Sequence, residues 1–459
     1  MINKVAQSYN LFLCFLLFSC KESESVIPQT DFESFPVKAT SEIKVDDFIP
    51  ASECANCHPN HFDEWSHSRH AFAMNDPLFF SGWNDEQDRH PGTGERFCIQ
   101  CHSPVSFVTG IYLDDVNIFE DMENLQIPKV IQEGIGCDFC HSVTRSSTTV
   151  MTPQNLAAVA EYNLYPGEGV KYGPIESPQE NDFHTSEYNS LFQSSHSCLP
   201  CHNMTVNGID AEMTFTEWED ATEFSMGGIH SCQECHMPST IREAAINGPL
   251  RNVHSHSFVG VDLDLSGPAE NSPQYAAVKD LLQDAVTLEF DTLIDSVHIG
   301  DVLSIPVIVT NKTGHSMPSG VSFAREAWLE VIVKINDSIL LHSGVLSSDT
   351  SSLVLTDNNL LLFTSYLISD TLTGKITDAV SETQGIINNS LKASAQISHV
   401  YEFQLSADQM PENNNGEIVI QLRMLFRPFK PHLLQDHPIL LENLPIFEMA
   451  RIDTTYIIP

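Results

Sequence analysis

Hydrophobic and polar positions fall into three regimes along this 459-residue chain. The first is a single short apolar run, Leu11 to Phe18, entered through Lys4 and left through Ser19 and Cys20. It is too short to cross a bilayer as a stable helix. From about residue 50 to 260 the pattern loses sustained periodicity: brief helical patches are interrupted by Pro, Gly and Asn. Such a stretch cannot close a conventional side-chain core over its whole length. The third regime begins at Ser272-Pro273, where Tyr275, Val278, Leu281, Leu282 and Ala285 share one face and predict a helix with Ser272 as N-cap and Pro273 in its first turn. Beyond it come β-branched runs, Val302 to Val309, Trp328 to Val333, Val400 to Leu405 and Ile418 to Leu422, separated by turn-rich stretches such as Glu412-Asn413-Asn414-Asn415-Gly416. These predict an all-β unit over 286–459, an immunoglobulin-like sandwich, with residues 271–285 as a linker helix in front of it.

Composition narrows the chemistry. Twenty-two basic residues against 61 acidic ones give a formal charge of −39, which repels a phosphate backbone and disfavours nucleic acid as a partner. A cationic partner suits that charge better. The 12 cysteines would ordinarily suggest a disulfide framework in an exported protein. Ten of them instead form pairs two residues apart, each followed at once by histidine: Cys54 and Cys57 with His58, Cys98 and Cys101 with His102, Cys137 and Cys140 with His141, Cys198 and Cys201 with His202, Cys232 and Cys235 with His236. Chance would supply roughly 0.01 such motifs in a chain of this composition.

Cys-x-x-Cys-His is the attachment signature of a c-type haem. Two thiols bind the porphyrin covalently, and the adjacent imidazole binds its iron. Zinc would need a second half-site at its own spacing, which the motifs lack. The cofactors expected are therefore five c-type haems with iron, with His58, His102, His141, His202 and His236 as proximal ligands, in a pentahaem unit over 49–270. Its fold class is expected to be mainly α and irregular, because porphyrins replace much of the side-chain core. The sixth ligand of each iron must come from the remaining histidines or from Met.

Residues 1–19 read as a lipoprotein signal peptide and Cys20 as the lipidated N-terminus, since Leu17-Phe18-Ser19-Cys20 is similar to a lipoprotein-processing box. Residues 20–48, polar and acidic, read as a flexible tether. The start of that tether, Lys21-Glu22-Ser23-Glu24, resembles the acidic export tags of Bacteroidetes surface lipoproteins. The expected location is the cell envelope, on the outer membrane, facing the periplasm or exposed at the surface.

Several stretches resemble the multihaem cytochrome family that includes the nitrifier tetrahaem cytochrome and hydroxylamine-oxidoreductase-like proteins, over roughly residues 52–260. They are Cys54-Ala55-Asn56-Cys57-His58-Pro59 followed by Trp65-x-x-Ser68-x-His70-Ala71, Glu133-Gly134-Ile135-Gly136 ahead of the third motif, Tyr172-Gly173-Pro174 with His184, and Cys235-His236-Met237-Pro238. The resemblance implies that His70 and His184 are distal haem ligands, with His67 a rival to His70. His254-Ser255-His256-Ser257-Phe258-Val259-Gly260 is similar to the element closing the haem domain in these proteins, which favours His256 over His254. Asn311-Lys312-Thr313-Gly314-His315-Ser316-Met317-Pro318 is similar to a Thr-Gly-His-x-x-Pro element of relatives with a C-terminal β-domain, and implies that His315 reaches back to a haem. One iron is left without an assigned partner. His61, His90, His196, His230, His399 and His432 are the candidates.

Two functions remain open from sequence. The first is a lipid-anchored electron carrier working with redox partner proteins or an extracellular acceptor. The other is a reductase or oxidase of a small nitrogen or sulfur compound at one haem with an open sixth position, a class that the resemblance includes. The Cys-x-x-Cys-Lys variant of pentahaem nitrite reductase is missing, and no cross-linking Tyr stands close to a motif in the sequence.

Overall fold

A computed structural model describes residues 43–89, 94–111, 127–150, 158–224, 230–292, 298–336, 338–348, 351–406 and 417–457. The leader, Cys20 and most of the expected tether lie outside the described residues, as does His90. The end of the expected tether is packed. Val45–Asp47 form one 3-10 turn, and Phe48 is buried against Phe139 with ring centres 6.4 Å apart. The folded body therefore begins before residue 49.

The motif-bearing segment is built from short helices, among them Ala51–Cys54, Pro59–Ser66, Arg69–Phe72, Pro77–Arg89, Gly94–His102, Cys137–Ser142, Thr214–Phe224 and Cys232–His236. Pro59 and Pro104 open their helices, where a missing N–H costs nothing, and Gly110 closes Pro104–Thr109 in the left-handed conformation. Two-stranded ribbons fill the gaps: Val143–Val150 with Ala158–Leu164, Met204–Val206 with Ile209–Glu212, Ser239–Glu243 with Leu250–His254, and the parallel pair Val170–Gly173 with Thr185–Tyr188. One modest apolar cluster, around Trp83, Ile99, Phe107, Ile131 and Phe139, underlies this segment. No helix among the described residues is long and apolar enough to cross a membrane.

The C-terminal region is rich in antiparallel sheet. One sheet runs Ser338–Ser343, Glu326–Ile335, Glu417–Arg427, Phe447–Ile457, with Leu361–Phe363 also paired to Glu326–Ile335. A second runs Gln396–Gln404, Val302–Asn311, Val286–Phe290, and a third, smaller one joins Lys375–Thr377, Ser365–Asp370 and Gly385–Asn388. In Val302–Asn311 alternate residues Leu303, Ile305, Val307 and Val309 point inward, the period-two pattern of a half-buried strand. Glu326–Ile335 is buried on both faces, which is why its sequence reads as a nearly continuous apolar run. The buried acid at its start, Glu326, is paired with the enclosed Arg427, whose guanidinium also lies over Trp328 at 5.3 Å.

The predicted helix is present as Tyr275–Asp284, later than expected: Gln274 occupies the N-cap position, and Ser272 and Pro273 form the turn before it. It is no linker. Val278 and Leu282 are buried in the C-terminal core, and Tyr275 packs on Phe447. Val259, Leu263, Leu265 and Ala269 join the same core, so the β-rich unit draws in chain from about residue 259 rather than 286.

Candidate haem sites

Each motif occupies about one helical turn, in which residues three apart lie on one face. The first closes with the His58 N–H donating to the Cys54 carbonyl at 2.8 Å, and the fourth closes the same way from His202 to Cys198 at 3.0 Å. The fifth is opened by a capping box, in which Ser231 and Glu234 satisfy each other's backbone N–H. All ten thiols are free of disulfides.

Four of the five motif histidines face a second histidine across a nearly constant gap. Ring centres are 6.4 Å apart for His58 and His184, 6.4 Å for His202 and His70, 6.2 Å for His141 and His256, and 6.3 Å for His236 and His315. A metal–imidazole bond of about 2.0 Å on each side, plus about 1.1 Å from each nitrogen to its ring centre, gives about 6.2 Å. The gap has room for one iron and leaves no room for direct contact between the rings.

Hydrogen bonds fix which nitrogen faces that gap. His58 Nδ1 lies 2.7 Å from the Ala244 carbonyl, His102 Nδ1 3.0 Å from that of Ala73, His141 Nδ1 2.6 Å from that of Tyr172, and His236 Nδ1 2.6 Å from that of Val259. His315 Nδ1 meets the carbonyl of Ser316 at 2.9 Å, and His256 Nδ1 that of His254 at 3.2 Å. A carbonyl only accepts, so in each of these rings Nδ1 carries the proton and Nε2 keeps a lone pair. That tautomer is the metal-binding one. Burial also holds the rings neutral: it depresses His102, His141, His236 and His256, and takes His70 down to about 3, with His202 adding to the effect. His202 is the exception. Burial opposes its charge, but the Glu212 carboxylate, 3.7 Å from Nδ1, raises it to about 9 and stands where the other motif histidines have a carbonyl.

The sequence patterns acquire physical causes here. Ser68 is fully buried and caps Arg69–Phe72, the turn carrying His70. The His70 carbonyl accepts from Ile135 N–H at 3.1 Å, while Trp65 Nε1 donates to the Ile135 carbonyl at 2.9 Å. Gly134 sits between them with φ +64°, and a Cβ there would lie 2.5 Å from the His70 carbonyl, so only glycine fits. Trp-x-x-Ser-x-His and Glu-Gly-Ile-Gly are thus two halves of one contact. Likewise Tyr172 supplies the carbonyl for His141.

The rivals are placed elsewhere. His67 is turned to solvent with Nδ1 2.8 Å from the Asp63 carbonyl, and His254 Nδ1 bonds the Met237 carbonyl. His61 stands 4.6 Å edge-on from His256, too close for a metal between them, and burial lowers it to about 4. His196 packs on Phe215, His230 pairs with Glu234, His399 packs on Tyr401 within a sheet, and His432 pairs with Asp378. Against His102 lies Phe79, with rings parallel and 3.7 Å apart. Among the described residues no histidine faces it at the spacing of the other four. Phe79 on Pro77–Arg89 carried no sequence signal, because an aromatic in a helix reads as core.

The motifs also touch one another. Ile49 N–H donates to Asp138 in the third motif at 2.7 Å, Cys101 Sγ lies 3.9 Å from the Pro200 carbonyl in the fourth, and Cys232 N–H and Gln233 Nε2 of the fifth donate to Ser195 Oγ and Ser197 Oγ beside the fourth at 3.1 and 3.2 Å. Tyr162 adds its hydroxyl 3.5 Å from Cys201 Sγ. The free thiols, the metal-wide gaps and the exposed Nε2 lone pairs fit covalently held haems.

The family of cytochrome c554 and c-prime matches residues 53–142, a stretch holding the first three motifs. The crystal structure of a penta-heme cytochrome c552 from Thermochromatium tepidum is similar over 90% of this chain and 100% of that one, with a TM-score of 0.64 at 18% identity. The chain has the fold of a multihaem c-type cytochrome. Two further structures align with 38% of the cytochrome at TM-scores that carry no argument: AvmM, a macrocyclization catalyst of alchivemycin A biosynthesis, at 0.17, 10% identity and 89% of its own length, and the sporulation control protein Spo0M of Bacillus subtilis, at 0.13, 9% identity and 47% of its length. No curated protein matches the sequence.

Proposed function

We propose that this protein is a pentahaem electron carrier of the cell envelope. The observation that carries the reading is the set of four histidine pairs at 6.2–6.4 Å, each joining a motif histidine to one from a distant part of the chain. His58 with His184, His202 with His70, His141 with His256 and His236 with His315 hold four irons, the motif cysteines hold the porphyrins, and His102 holds the fifth iron from one side. When bound, the haems supply one-electron chemistry, and two-imidazole ligation leaves four irons closed to small molecules. The residues supply closeness: hydrogen bonds link the region of the first motif to the third, the second to the fourth and the fourth to the fifth. The formal charge of −39 favours a cationic redox partner, and an extracellular acceptor fits the same role.

A second reading, reduction or oxidation of a small nitrogen or sulfur compound, is favoured by one observation: among the described residues no histidine faces His102 at the 6.2–6.4 Å spacing of the other four pairs. Low-temperature EPR of the oxidised protein tests both. Four low-spin irons and one high-spin iron are expected. Five low-spin irons would end the catalytic reading, and two or more high-spin irons would overturn the pair assignments.

Attachment to the outer membrane through Cys20 rests on the apolar run before it and the polar stretch after it. Cys20→Ala is expected to move the protein from the membrane fraction to the soluble one. Unchanged membrane association refutes the anchor.

A further inference from the structure

We infer that Glu217 and Thr214 are positioning residues for the haem of the fifth motif, Cys232–His236, gripping from the motif segment the loop of the β-rich unit that presents His315. The inference rests on His315 being an iron ligand, as proposed above. Both residues lie in the first turn of Thr214–Phe224, the helix that follows the fourth motif. They are separated from the loop by about a hundred residues of chain.

The contacts are dense and one-sided. The Glu217 carboxylate accepts from the Ser316 N–H at 3.1 Å and from the Ser319 hydroxyl at 2.6 Å, both through Oε2. Thr214 Oγ1 accepts from the Gly320 N–H at 2.9 Å and shares a 2.8 Å bond with Ser319 Oγ. These bonds bracket Ser316 to Gly320. The carbonyl of His315 is held from the other side, by Asn311 Nδ2 at 2.8 Å and Thr313 Oγ1 at 2.8 Å, both within the β-rich unit.

Ser316 is the pivot. Its N–H is fixed by Glu217 and its carbonyl accepts the hydrogen bond of His315 Nδ1 at 2.9 Å. The imidazole is thus bonded to the carbonyl of a residue whose own N–H a motif-segment carboxylate holds in place. A carboxylate is the strongest acceptor available for two donors at once, which suits a clamp more than a surface contact.

Docking of the two units does not depend on this grip. Asn207 donates to the carbonyls of Ser381 and Thr383 at 2.9 and 2.7 Å, the Ser381 N–H donates to the Glu86 carboxylate at 3.4 Å, and Arg89 pairs with Glu382. Loss of Glu217 should therefore free the loop without separating the units. What it changes is the placement of one ligand.

The experiment compares haem-loaded Glu217→Ala, Glu217→Gln and His315→Ala by EPR and potentiometric titration, with the signal lost in H315A marking the iron concerned. In E217A that signal is expected to shift in g value or convert in part to high spin, and one potential of the five is expected to move. E217Q keeps an acceptor oxygen for both donors and is expected to restore the wild-type signal. Should E217A fail to load haem, Thr214→Val, which deletes the acceptor of the Gly320 N–H, is expected to shift the same signal. A wild-type signal and potential in E217A, or in T214V where E217A does not load, overturns the positioning role while leaving His315 a ligand. Equal shifts in E217Q and E217A also overturn it, since charge alone would then be at work. An unaltered spectrum in H315A overturns the ligand assignment itself.

Discussion

His315→Ala yields one new high-spin iron, open to cyanide or nitric oxide, while the three other paired irons stay low-spin. Among the proposed ligands, His315 is supplied from beyond the motif segment, and it faces His236 at 6.3 Å with its Nδ1 proton committed to the Ser316 carbonyl. Alanine removes the imidazole and nothing else that holds the loop. The bonds from Asn311, Thr313, Glu217 and Thr214 all end on backbone or on Ser319, and the Arg325–Asp262 pair is untouched. The fold should therefore survive, with the spectral change confined to one iron of five. Loss of a ligand on that scale also moves the potential, because axial ligation is the protein's main lever on haem iron. A mutant spectrum identical to wild type would reduce His315 to a turn residue and the β-rich unit to an independent interaction module.

Without covalent haem, residues 43 to about 258 lose cooperative structure, whereas the β-rich unit keeps its own unfolding transition. Buried apolar side chains are unevenly shared. Among the described residues, 34 form the cluster running from Val259 to Met449, against 15 in the cluster under the motif segment. Helices as short as Ala51–Cys54 or Cys137–Ser142 have no stability of their own, since nucleation costs more than so few bonds return. What remains to order them is ligation, with imidazoles bringing together chain as distant as His58 and His184. Limited proteolysis of protein made without haem attachment should leave a resistant fragment starting near residue 259, and circular dichroism should retain the β signature with one thermal transition. Full-length resistance would show that the motif segment folds on side-chain packing alone.

Much of this was legible in the chain because it is local. Five Cys-x-x-Cys-His motifs define the attachment chemistry within five residues each, and alternation such as Leu303, Ile305, Val307, Val309 defines a strand whatever lies around it. The helix at Tyr275–Asp284 was visible for the same reason. Its role was not: the same apolar face serves a linker or a core helix, and only the packing of Tyr275 on Phe447 shows which. The reach of the β-rich core back to Val259 was hidden likewise, since isolated residues such as Leu263 and Leu265 carry no period.

The sequence by itself determined the five Cys-x-x-Cys-His motifs and a β-rich C-terminal region, because each shows in patterns within a few residues. Tertiary structure decided which histidine faces which. His67 and His70 are three residues apart, yet Ser68 and the Gly134 contact turn one inward while the other bonds its own helix and faces water. It also decided that His102 meets Phe79 and that Glu217 grips the His315 loop, for such pairings arise from segments that meet only when the chain has folded around them.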